Sequence, residues 1–141
     1  MATRNSTYTT MTVRASTDYL ADVRDFVAKQ AASFGFGKEE ISDIRLAVDE
    51  AFTNIIKHAY QNDEKQSVKI SLGKNGDAFW ISLLDTGRSF SLQNYEEPDV
   101  KERVRQKKRG GVGVYLIRKL MDDVSYRHEG TKNEIRMVKK R

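Results

Sequence analysis

The sequence predicts an α+β fold, with helices laid on one face of a mostly antiparallel sheet. Three observations carry this. Two early segments place apolar residues at helical spacing; two later pairs of short apolar runs are joined by glycine-containing bends; and the elements follow the order β-α-α-β-β-loop-α-β-β. No internal repeat interrupts that order.

At 141 residues the chain is the size of one domain, large enough to bury a core without staples. It has no cysteine, which excludes disulfides and thiolate metal sites and fits a reducing, cytoplasmic setting. No apolar run approaches membrane-spanning length, and residues 1–10 lack the apolar centre of a signal peptide. A formal charge of +5 suggests acidic partners: nucleotides, nucleic acid or an acidic protein face.

Residues 8–15 alternate, with Met11, Val13 and Ala15 on one face, and read as a strand. Thr17 is placed to cap a helix whose apolar side is Leu20, Val23, Phe26, Val27, Ala31 and Phe34, and Gly35 ends it as a left-handed cap. After a joint at residues 36–38 comes the central helix, with Ile41, Ile44, Val48, Ala51 and Ile55 as its apolar stripe and its end near Ala59-Tyr60. Residues 61–66 are a polar connector. Residues 68–72 and 78–84 read as a hairpin around an Asn75-Gly76 step, and the second strand delivers Asp85-Thr86-Gly87. Residues 88–109 show no clear period and contain the only proline, Pro98, and a basic run. A helix over 114–121, with Leu116, Ile117 and Leu120 inward, and a hairpin of strands 124–128 and 134–138 around a bend at 129–133 complete the chain.

Three constellations could carry chemistry. On the central helix Asp43, Glu50, Asn54 and Lys57 form a polar row about a quarter turn from the apolar stripe, with Glu50 and Asn54 as neighbours one turn apart. Such a pair can hold a hard cation through the amide oxygen and leave the carboxylate as a base, or it can simply be the wet edge of a core helix. In Gly110-Gly111-Val112-Gly113, backbone N–H groups from Gly111 to Val114 can face outward at the positive end of a helix, with Arg109 beside them. That is a phosphate site in physical terms, though neither a Walker loop nor a dinucleotide fingerprint, since Leu116 stands where a third glycine should be. The alternative is a hinge into a helix. Asp85-Thr86-Gly87 can accept a hydrogen bond from a ligand amine, with Gly87 admitting a flat ring, or can be an ordinary turn. An aspartic protease is disfavoured because helices fill so much of the chain. His58 and His128 lack ligand spacing and read as surface or packing residues.

In order, these pieces resemble the nucleotide-binding boxes of the gyrase and histidine-kinase ATPase superfamily. Glu50-Ala51-Phe52-Thr53-Asn54 with Lys57-His58-Ala59-Tyr60 resembles its N box, and Asp85-Thr86-Gly87 its first glycine box. Gly111-Val112-Gly113 with Leu116-Ile117 resembles the second glycine box, and Gly130-Thr131 the closing Gly-Thr. Each piece is weak alone; four in the right order over most of the chain are strong. The narrower likeness is to anti-sigma factor serine kinases, through residues 116–124 after the phosphate loop. Two departures stand out. Ser89 replaces a frequent second glycine, and Phe90-Ser91 lacks the acidic residue that often follows the phenylalanine.

The resemblance implies a two-layer α/β sandwich of the histidine-kinase-like ATPase fold, its sheet mixed but mostly antiparallel. It implies one domain over residues 1–141, with a mobile lid at about 88–112. It also implies ATP and Mg²⁺ as cofactors, a homodimer, and two clients: a sigma factor, and an anti-anti-sigma protein whose serine receives the γ-phosphoryl group. By position, Glu50 would be the catalytic base and Asn54 the Mg²⁺ ligand, with Lys57 beside them. Asp85 would accept from the adenine amine, with Gly87 beneath the ring and Thr131 supporting the water network. Gly110, Gly111, Val112, Gly113 and Val114 would cradle phosphate, and Arg109 would reach the γ-phosphate. Phosphoryl transfer asks mainly for positioning and charge neutralisation, which these residue types supply. Two rivals are a nucleotide-gated protein-binding regulator without kinase activity, and a basic nucleic-acid-binding domain. The latter is disfavoured because the basic run has no interleaved aromatics.

Overall fold

A computed structural model describes residues 8–60, 63, 65–87 and 112–141. The strands are β1 (Tyr8–Arg14), β2 (Ser67–Asn75), β3 (Ala78–Asp85), β4 (Asp123–Glu129) and β5 (Lys132–Lys140). The helices are α1 (Leu20–Phe34), α2 (Lys38–Asn54) and α3 (Val112–Leu120). The strands form one sheet in the order β1-β2-β3-β5-β4, and all four pairings are antiparallel. The expected sheet is mostly antiparallel, and the described one is antiparallel throughout.

Period two explains which face of the sheet is covered. On β2, Val68, Ile70 and Leu72 are buried while Lys69 is exposed. On β3, Phe79, Ile81 and Leu83 are buried and continue into Met137 of β5. The helices cover this face with Val23, Val27 and Ala31 of α1, Ile44, Val48, Ala51 and Phe52 of α2, and Ile117 of α3. Each Val, Ile or Phe among these, fully buried, contributes about 1.5–3 kcal/mol. On the opposite face Trp80 lies under the Arg136 guanidinium, 4.4 Å from the ring centroid.

The ends of the elements differ from expectation in ways that matter. Ser16, not Thr17, is the N-terminal cap: its hydroxyl accepts from the Asp18 amide across a short 3₁₀ turn (Thr17–Tyr19) that leads into α1. Gly35 does cap α1 in the left-handed region, at φ 111°. α2 begins at Lys38, and the Gly37 amide donates to the Glu40 carboxylate. Beyond Asn54 the helix widens into a π turn (Ile55–Ala59), closed by the Tyr60 amide on the Ile55 carbonyl. Both hairpins are tighter than expected. Asn75 pairs with Ala78 and Glu129 with Lys132, leaving two-residue loops in which Gly76 and Gly130 take φ near +60°. Of the expected lid at about 88–112, residues 88–111, with the basic run, lie outside the described residues, and Val112 opens α3.

Candidate functional site

The end of β3 is where the polar chemistry collects. Among the described residues only four polar or charged side chains are buried: Ser16, Ser82, Asp85 and Asn133. The last two are adjacent. Strand register places Asp85 opposite Asn133, and Asn133 opposite His128 of β4, so three polar residues cross three strands in one row. That row lies on the helix-covered face, in phase with Leu83, Ile135 and Met137.

Asp85 is held rather than merely buried. Its Oδ1 accepts from the Gly87 amide at 2.8 Å and from Asn133 Nδ2 at 2.9 Å. Among the described residues nothing bonds Oδ2. The same Asn133 Nδ2 donates to the Gly87 carbonyl at 2.8 Å. From the other side Tyr60 clamps the turn: its hydroxyl accepts from the Thr86 amide at 2.8 Å and donates to the Ser67 carbonyl at 2.7 Å. Gly87 is required here by packing. A Cβ at this position would fall 2.3 Å from the Ala59 carbonyl oxygen. The glycine thus admits the end of the π turn, a nearer neighbour than the flat ring expected from sequence.

That contact ties α2 to the end of the sheet. Asn54, the last residue of α2, lies five residues before Ala59, across the π turn, and Glu50 lies one helical turn before Asn54. Glu50 and Asn54 are both partly exposed, and Lys57 on the π turn is exposed. The polar row seen in the sequence is not one site. Asp43 lies about 16 Å up the helix from Asn54, by helical rise, and pairs with Lys139 at 3.7 Å. Lys139 in turn donates to the Leu120 carbonyl at the end of α3. Beside Glu50, burial raises the Asp49 carboxyl above its ordinary range, an effect partly opposed by Arg24 and Arg45. Arg24 Nε stands 3.3 Å from Asp49 Oδ1, yet both atoms are buried without a well-directed hydrogen bond.

α3 packs against α2 and begins at Val112, so Gly113 lies in its first turn and not in a loop before it. Its first-turn N–H groups have no partner within the helix. Val114 is buried, so it offers backbone rather than side chain. Arg109, Gly110 and Gly111 lie outside the described residues. Thr131 is exposed in the β4–β5 loop, while the residue that reaches Asp85 is Asn133, two positions later. Asn133 and His128 are the functional candidates that sequence reasoning missed. The signal was available: Asn133, Ile135 and Met137 alternate, so a lone amide heads an inward-facing row.

This donor and acceptor set suits an amine-bearing ring at Asp85, a carboxylate with one oxygen saturated and the other unbonded among the described residues. For a divalent cation the fit is partial. Among the described residues no group of three His, Cys, Asp or Glu side chains could hold a metal alone. A cation beside Asn54 would therefore rest on one amide oxygen and on oxygens brought by the ligand. Among the described residues no helix is long and apolar enough to cross a membrane.

Comparison with known proteins adds likenesses in sequence and in fold. The family profile described as "Histidine kinase-like ATPase domain" matches residues 13–139. "Serine-protein kinase RsbW" of Oceanobacillus iheyensis is 34% identical over 129 residues, covering 89% of this chain and 82% of that protein. A protein of the same name from Bacillus cereus is 34% identical over 123 residues, covering 84% of this chain and 76% of that protein. Among solved structures, the RsbU and RsbW domains of Rv1364c from Mycobacterium tuberculosis superpose with a TM-score of 0.66 at 15% identity. The match covers 95% of this chain and 32% of that longer one, and it speaks to fold alone.

Proposed function

The chain belongs to the histidine kinase-like ATPase family, and we propose that it is an ATP-dependent protein-serine kinase that also sequesters a sigma factor. Its substrate in this reading is a serine of an anti-anti-sigma protein. The observation that carries the proposal is Glu50 one turn before Asn54, on the helix whose end packs against the Asp85 turn. Relatives named serine-protein kinase, 34% identical over most of the chain, support it.

Each residue has a definable task. Asp85 Oδ2 accepts from the exocyclic amine of adenine, and Gly87 keeps the turn close to the helix end. The first-turn amides of α3, at Val112, Gly113 and Val114, face phosphate oxygens, with Gly110, Gly111 and Arg109 ahead of them. Asn54 offers its amide oxygen to a magnesium ion, and Lys57 adds positive charge nearby. When bound, magnesium supplies charge neutralisation across the phosphates. Glu50 accepts the proton of the incoming serine hydroxyl, or orients that hydroxyl for attack. Thr131, exposed in its loop, supports the water network at the ring, while Asn133 bonds Asp85 directly. Residues 1–141 act as one domain, the segment from about residue 88 to the start of α3 acts as its lid, and the working form is a cytoplasmic homodimer.

The test is incubation of the full chain with labelled ATP, Mg²⁺ and a candidate anti-anti-sigma protein. Label on serine is expected. Nucleotide binding with no transfer would instead leave the nucleotide-gated binder standing. Asn54→Ala is expected to abolish the magnesium dependence of nucleotide affinity while the far-ultraviolet circular dichroism stays unchanged; unaltered magnesium dependence would remove Asn54 from that role.

A further inference from the structure

The Asp85–Asn133–His128 row determines more than the shape of a turn, and its hydrogen bonds show why. Asn133 is fully buried on a face otherwise made of Val68, Ile70, Ile81, Leu83 and Met137. An apolar residue would fill that place without any polar group to satisfy. Its amide is instead fully used. Nδ2 approaches Asp85 Oδ1 and the Gly87 carbonyl, both of which only accept, so the nitrogen must lie on that side. The amide oxygen is then forced toward His128 Nδ1, 2.7 Å away. An oxygen can only accept there, so His128 must carry its proton on Nδ1. One buried amide thus assigns its own orientation and the tautomer of a histidine on the outer strand.

We propose that Asn133 is the positioning residue of the base-binding end, stapling Asp85 to the Gly87 carbonyl so that Asp85 Oδ2 alone is presented to a purine amine. The inference rests on the nucleotide reading above and deepens it into base selectivity. With Oδ1 saturated by the Gly87 and Asn133 donors, the carboxylate cannot rotate to share its charge or exchange its oxygens. A 6-amino purine meets an acceptor with its donor. A 6-oxo purine would set lone pair against lone pair, the kind of mismatch that separates related ligands most sharply. His128 completes the staple: its Nδ1–H holds the Asn133 oxygen and so prevents the amide from flipping, which would turn an acceptor toward Asp85.

The experiment measures calorimetric affinities of the full chain for Mg-ADP, Mg-GDP and inorganic tripolyphosphate with Mg²⁺. Wild type, Asn133→Leu and His128→Ala are compared. Asn133→Leu is expected to weaken ADP by about 10- to 100-fold, the scale of a lost hydrogen bond to a charged group. Tripolyphosphate should be unaffected, and the ADP-to-GDP preference should collapse. His128→Ala, an exposed change that spares the core, is expected to produce the same pattern at smaller size. Independently of any ligand, nitrogen-15 NMR of the His128 ring should show the Nδ1–H tautomer in wild type and its loss in Asn133→Leu. Retained ADP-to-GDP preference in both variants would overturn the proposal, as would equal losses for ADP and tripolyphosphate, or a wild-type His128 protonated only on Nε2. If the wild-type chain binds no nucleotide, the kinase reading fails first. If it binds ADP and the variants are indifferent, only the role of Asn133 fails.

Discussion

The two halves of the candidate site are built on opposite plans. At the Asp85 end the turn is held by directed bonds that leave one carboxylate oxygen open: Gly87 and Asn133 saturate Oδ1, and Tyr60 holds the Thr86 amide. At the α2 end Glu50 and Asn54 stand partly exposed, one turn apart, and among the described residues neither side chain is tied to a neighbour. The difference fits the role proposed for each half. Recognising a flat base requires groups whose directions are set beforehand, because reorganisation on binding subtracts from affinity. A base for a protein hydroxyl must remain reachable by a second macromolecule, so it cannot be sealed in.

Exchanging one group in each half would break this comparison most sharply. Glu50→Gln should lower the rate of phosphotransfer by about 10²- to 10⁴-fold, the usual share of a general base, while calorimetry shows nucleotide affinity retained. Asp85→Asn should do the reverse, weakening adenine nucleotides by about 10- to 100-fold and leaving the saturated transfer rate close to wild type. Parallel losses of affinity and rate in both variants would mean that the halves are not separable.

Gly87→Ala asks whether the two halves are mechanically joined. The new methyl would collide with the Ala59 carbonyl, so the π turn and the end of β3 must part. A loss of about 1–3 kcal/mol in urea unfolding is expected, with nucleotide affinity reduced because Asn54 moves with the helix end. Unchanged stability would show that the contact is slack.

The smallest effect belongs to Asp49, a carboxylate withdrawn from water without the partners that Asp85 enjoys. Burial raises its folded pKa above the unfolded value, so its contribution to stability is greatest below the ordinary carboxylate range and is lost as pH rises through the folded value. Asp49→Asn should therefore leave stability at neutral pH unchanged or raised by less than about 1 kcal/mol. It should also flatten the decline in melting temperature as pH rises through the folded value of Asp49, above the ordinary carboxylate range. A steeper decline in the variant would reverse the sign assigned here. The contrast with Asp85 shows that burial alone does not mark a site; directed donors do.

Much of the fold could be read from local pattern. The stripe of Ile44, Val48 and Ala51 and the alternation of Val68, Ile70 and Leu72 report on which face of an element is dry, and both are properties of neighbouring residues. Element ends were harder. Local pattern puts Asn133 in a bend, whereas the strand begins at Lys132, because a two-residue loop at Gly130-Thr131 suffices to reverse the chain. That register sets Asn133 directly opposite Asp85. The π turn after Asn54 left no periodic signature, since its single extra residue per turn lies within the scatter of any five-residue window.

By itself the sequence determined the order and type of the elements, the family, and the candidates for the proposed phosphoryl chemistry, because side-chain periodicity and functional-group identity are carried locally along the chain. Only the tertiary structure decided that Asp85 meets Asn133 and His128, that Gly87 yields to Ala59, and that Asp43 belongs elsewhere. Those are contacts between residues tens of positions apart, set by strand register and close packing, and no short window of sequence contains both partners.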